Sequence, residues 1–273
     1  MIRHLRAPII VLLCLIPWGC RAQPPGAPTT AVTTSYLECA VRDLLGDEVE
    51  VASLAPPGSC PGHFDPTPSD VRALSAAALF LRFDFQSGVD AKLAPLVARG
   101  LLVHEVFLPE GMCVPEVYAA ACRSAVEGLA QAFPERSAGI EDALTAVEAR
   151  MQKLALELRG RVERAGLTGA PVVASGHQAE FCRTLGLTVA ATYSGGDEET
   201  VRALKEMIKA GDESSVRVVV ANLQEGTARA EALAERLAAP VVVFSNFPAM
   251  TEGEDTFDEL ARNNVARLVG VLQ

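Results

Sequence analysis

The chain is predicted to be an α/β protein: two Rossmann-like lobes with parallel sheets, joined by one long backbone helix, with a cleft between the lobes. Three observations predict this. Short β-branched runs alternate with helix-period segments from residue 30 onward, and the same alternation resumes after residue 168. Between the two halves lies an uninterrupted helical stripe. Low aromatic content (5%) with plentiful Ala, Val and Leu suits helices packed on parallel sheets.

In the first half, strands are expected at Ala31–Thr34, Val49–Leu54, Ala78–Phe83 and Leu101–Phe107. The helices between and after them are Tyr36–Leu45, Pro68–Ala76, Gly88–Ala98 and Pro115–Ala132. Pro68 suits a first helical turn, and Thr67 or Ser69 can cap it. From about Ser137 to Ala165, Ile140, Leu144, Val147, Met151, Leu154, Leu158 and Val162 recur at spacings of four and three. Such a helix spans roughly 40 Å at 1.5 Å per residue, enough to run along two lobes rather than one. In the second half, strands are expected at Pro171–Ala174, Thr188–Tyr193, Val216–Ala221 and Pro240–Phe244. Their helices are Ala179–Leu185, Glu198–Ala210, Thr227–Ala238 and Phe257–Leu272. The organisation that follows is an export signal over 1–22, a Pro/Gly/Ala/Thr tether over 23–30, an N-terminal lobe over 31–136, a linking helix over 137–166 and a C-terminal lobe over 167–273.

The leader pairs Arg3 and Arg6 with the apolar run Ile9–Ile16, too short to span a bilayer stably. Gly19-Cys20 offers a lipoprotein cleavage site, with Cys20 acylated, and Arg21-Ala22-Gln23 an ordinary one. The formal charge of −10 becomes more negative once Arg3 and Arg6 leave, which argues against nucleic acid or an anionic membrane surface as partner. Beyond Cys20 stand Cys39, Cys60, Cys113, Cys122 and Cys182, an odd number that leaves at least one thiol over in an oxidising compartment. A phosphate-cradling GxxxxGK[ST], an HExxH and a GxSxG elbow are all absent. Asp84 and Asp90 read as helix-capping and loop residues rather than a catalytic pair.

Imidazoles carry the clearest functional signal. His63, in Pro61-Gly62-His63-Phe64-Asp65-Pro66-Thr67-Pro68-Ser69-Asp70, sits in a stiffened loop before a helix start. His177, in Ala174-Ser175-Gly176-His177-Gln178, also lies where a strand hands over to a helix. Each is therefore at the carboxyl edge of its own sheet, where open parallel sheets bind ligands. A neutral imidazole held there is a good metal ligand. His104 lies inside a strand and reads as a satisfied sheet residue. Glu225, after the strand ending at Ala221, can also point at the cleft.

The decapeptide 61–70 resembles the "PHxYEPTPSD" segment of the zinc/manganese-binding proteins that serve bacterial ABC importers, the ZnuA/TroA-like family. His177 likewise matches the metal histidine of that family's "SHxAFxYF" segment. The resemblance implies an extracytoplasmic solute-binding protein, periplasmic or lipid-anchored at Cys20. It would capture Zn2+, or alternatively Mn2+, in the cleft and deliver it to a membrane permease, breaking no bond. His63 and His177 are the implied metal ligands. The family's "PHxWLDP" segment is replaced by Pro109-Glu110-Gly111-Met112-Cys113-Val114-Pro115-Glu116, without its histidine, and Asn246 stands where the family has a last carboxylate. Cys113, Glu110 and Asn246 are the candidate substitutes. For Cys113 three readings stand side by side: a thiolate ligand, a Cys60–Cys113 disulfide, or neither. Two other functions remain in view, a zinc-dependent hydrolase and a metal-free lipoprotein with a scaffolding or adhesive role.

Overall fold

The computed structural model describes residues 30–47, 49–57, 66–194 and 201–273, with the backbone alone for 201–204. The leader, most of the tether, Cys20, Cys60 and His63 lie outside the described residues.

The described residues begin with β1 (Thr30–Val32), α1 (Ser35–Leu45) and β2 (Val51–Ser53), followed by α2 (Pro68–Ala76) and β3 (Leu79–Phe83). A capping box starts α2. Thr67 Oγ1 accepts from the Asp70 amide at 3.3 Å, the Thr67 amide donates to Asp70 Oδ2 at 2.8 Å, and Pro68 fills the first helical position. The helix expected at Gly88–Ala98 is shorter. A 3₁₀ segment covers Asp84–Val89 and α3 runs over Asp90–Val97. There Asp90 has a structural task beyond capping: with Glu105 it neutralises the buried Arg82 guanidinium, at 2.6 Å from Asp90 Oδ1 and 2.9 Å from Glu105 Oε2. Then follow β4 (Leu102–Val106) and α4 (Pro115–Ala132). The sheet order is β2-β1-β3-β4, all parallel.

Helix α5 (Ser137–Arg164) is 28 residues long, about 42 Å at 1.5 Å per residue. All seven residues of its predicted stripe are buried, while Leu156 on the opposite side is exposed. After it come β5 (Pro171–Ser175), α6 (Gly176–Thr184), β6 (Thr188–Tyr193), α7 (Val201–Ser214), β7 (Val218–Asn222), α8 (Ala228–Leu237), β8 (Val241–Phe244) and α9 (Phe257–Leu272). The second sheet is ordered β6-β5-β7-β8 and is parallel throughout, the same winding as the first.

The lobes do not merely share a linker. One continuous core holds Tyr36 and Tyr118 from the first half, the α5 stripe, and Phe181, Phe244 and Phe257 from the second. Phe257 stacks on Tyr118 with centroids 4.1 Å apart and meets Tyr36 edge-on at 5.7 Å. Beside this cluster Arg150 of α5 ion-pairs with Asp43 of α1 and, at 3.1 Å, with Asp258 of α9. Ser35 Oγ donates to the Pro248 carbonyl at 2.8 Å, adding a polar tie between the halves. No helix among the described residues is long and apolar enough to cross a membrane.

Candidate functional site

Winding in opposite directions from a central strand opens a crevice at the carboxyl ends of the two strands where the order reverses. In the second sheet those strands are β5 and β7. Chain leaving β5 enters α6 at once. Ser175 is its N-cap, with Oγ accepting from the His177 amide at 3.2 Å. The helix therefore begins at Gly176, three residues before the expected Ala179, and His177 sits in its first turn rather than in a preceding loop. Chain leaving β7 makes a short 3₁₀ turn, Leu223–Glu225, ended by Gly226 at φ +83°. That turn brings Glu225 back over the crevice.

The two arrive together. His177 Nε2 lies 3.5 Å from Glu225 Oε1, the imidazole largely exposed (64%) and the carboxylate mostly covered (17%). Ser175 Oγ donates a short hydrogen bond to Glu225 Oε2, so one hydroxyl both caps α6 and fixes the carboxylate. Sequence reading placed Glu225 near the cleft but gave no sign of its pairing with His177; that depends on the register of the turn after β7.

Gln178 follows His177 on the helix and so points about 100° away, into the interior. Its amide Nε2 donates to Asn246 Oδ1 at 2.8 Å and to Asn222 Oδ1 at 3.1 Å, while Gln178 Oε1 is buried with no hydrogen-bond partner among the described residues. Asn246 is buried after β8, and its backbone amide donates to Gln224 Oε1 at 3.0 Å. Cys113, from the loop before α4, reaches the same network across the lobes. Its thiol faces the Ser245 carbonyl at 3.0 Å and Asn246 Oδ1 at 3.3 Å, and Asn264 Nδ2 approaches the sulfur at 3.6 Å. Burial pushes the Cys113 thiol well above its ordinary range, so it is held as a proton donor. Cys113 is a free thiol whose side chain turns into the polar seam between the lobes and bonds there; Cys60, its partner in the disulfide reading, lies outside the described residues.

Glu110 stands exposed on the loop before Cys113. The adjoining Gly111 has φ +94°, and a Cβ on it would come 3.0 Å from Glu180 Cβ, so glycine is what lets this loop close on α6. His104 is a sheet residue as expected. Its Nε2 lies 2.8 Å from the Ser124 carbonyl, and its ring rests on Gly128 of α4. Among the described residues, no group of three or more His, Cys, Asp and Glu side chains converges as a metal cage.

Two α/β lobes packed on one rigid helix, with polar side chains gathered at the carboxyl edge of the second sheet, are the build of a two-lobed solute-binding protein. The sequence model for the family described as "ZnuA: Zinc-uptake complex component A periplasmic" matches residues 31–100 and 114–271, and the chain belongs to that family. The match breaks off over 101–113. No curated protein matches the chain. Solved structures with the same fold include ZnuA, 20% identical, at a TM-score of 0.72 over 89% of this chain and 98% of that one. The periplasmic zinc-binding protein TroA from Treponema pallidum is 17% identical, at 0.71 over 90% and 99%. The Mn-bound periplasmic metal-binding protein from Candidatus Liberibacter asiaticus is 14% identical, at 0.74 over 89% and 99%.

Proposed function

We propose that this protein captures a divalent transition metal outside the cytoplasm, zinc first and manganese as the alternative, and hands it to the membrane permease of an ABC importer. The metal is cargo, so the protein itself makes and breaks no bond. Family membership supports this reading, and one observation carries it: His177 presents an exposed imidazole at the switch point of the second sheet, where a parallel α/β sheet holds its ligand. His63 is proposed as the second imidazole, on its match to the family's loop. Imidazole favours zinc over the harder cations, which prefer more oxygen donors. The leader supports export, with Cys20 as the proposed site of a lipid anchor.

Equilibrium dialysis of the mature chain against zinc and manganese tests the proposal. Tight binding of one of them, weakened severely by His177→Ala and by His63→Ala, is expected, and no binding of either metal sinks the reading.

A further inference from the structure

We infer that Glu225 is a direct metal ligand: with His177 it forms a two-donor chelating edge on the second lobe. The inference rests on the metal-capture reading above and assigns the carboxylate that Asn246 does not supply.

Two ligands at 2.0–2.1 Å from a tetrahedral zinc stand about 3.3 Å apart. His177 Nε2 and Glu225 Oε1 are 3.5 Å apart, so an ion can be inserted with little movement of either residue. Both are anchored from the backbone side by one residue. Ser175 fixes the start of α6, which carries His177, and its hydroxyl bonds the far oxygen of Glu225. Metal-binding carboxylates are commonly held in this way by a hydrogen-bond donor outside the coordination shell. The imidazole of His177 is itself largely exposed.

The neighbouring polar groups are committed elsewhere. Asn246 Oδ1 already accepts from Gln178, and the Cys113 thiol bonds toward Asn246 and Ser245 in a buried, uncharged seam. A cation there would have to break these contacts. Those residues join the lobes. The pair outside that seam is the exposed His177 imidazole with the Glu225 carboxylate beside it.

The test is zinc and manganese titration of the mature chain by competition with a chromophoric chelator, for wild type, His177→Ala, Glu225→Gln, Glu225→Asp and Ser175→Ala. Gln keeps the oxygen that accepts from Ser175, and metal-free melting curves report whether each variant is folded. Glu225→Gln is expected to lose more than about 100-fold in affinity with an unchanged metal-free melt, beyond the about 10–100-fold that a group which only orients a ligand is worth. Glu225→Asp is expected to recover part of the loss, and Ser175→Ala to show a smaller one. A loss of about 100-fold or less in Glu225→Gln, the range of a group that only orients His177, alongside a larger loss in His177→Ala, overturns this inference and leaves metal capture standing. A wild-type chain that binds neither metal overturns both.

Discussion

Replacing Phe257 by alanine tests whether the two lobes share one core. Phe257 opens α9 in the second half, is 1% exposed, and stacks at 4.1 Å with an interplanar angle of 12° on Tyr118 from the first half. Truncating a fully buried Phe costs about 3–5 kcal/mol, through lost transfer energy and the cavity left behind. Of this, about 0.5–1.5 kcal/mol belongs to each aromatic pairing. A chain of this size loses about 2–4 °C in Tm per kcal/mol, so the variant should melt about 6–20 °C lower. Urea unfolding followed by circular dichroism, without metal, is the assay. Because Tyr36, Tyr118, the α5 stripe and Phe257 lie in one cluster, both proteins should unfold in a single cooperative step. A loss below about 1 kcal/mol, or two separated transitions in the wild type, would refute the shared core, since neither fits a fully buried interlobe ring.

Gly128→Ala should destabilise by about 1–3 kcal/mol, because its Cβ would fall 2.4 Å from Cγ of His104, a ring held in place at Ser124. His104→Ala should leave zinc affinity unchanged; urea melts and metal titration separate the two effects. Cys39, whose thiol burial pushes up to about 12, should resist alkylation in the native protein at pH 8.5 and react in denaturant. Cys113 should behave likewise, and zinc should make no difference to it; mapping by peptide mass spectrometry would expose a native, zinc-protected Cys113 as a ligand after all. Cys113→Ser, which keeps a donor toward Ser245 and Asn246, should retain zinc affinity.

Much of the fold was legible because parallel sheets buried on both faces need continuous β-branched runs, and helices need a stripe. The second sheet shows this at Val218–Val220 and Val241–Val243. The stripe from Ile140 to Val162 likewise foretold a buried helix face residue by residue. Errors collected where a single side-chain contact sets a boundary. Ser175 capping moved the start of α6 back to Gly176, and the Arg82–Asp90 pair organises the chain before α3. The candidate site was half legible. His177 announced itself by motif and by strand-to-helix position. Its partnership with Glu225, 48 positions along the chain, depends on a 3₁₀ turn and a serine hydroxyl that no local pattern encodes. Cys113 and Asn246 were candidate substitutes for family ligands, and their contact with each other across the lobes was not legible, because it depends on how the two halves pack.

The most direct measurement is an anomalous difference map at the zinc edge from crystals grown with zinc. One dominant peak is expected about 2.0–2.2 Å from both His177 Nε2 and a Glu225 carboxylate oxygen, with no sulfur in the coordination shell. A peak seated about 2.3 Å from Cys113 Sγ and against Asn246 would contradict it.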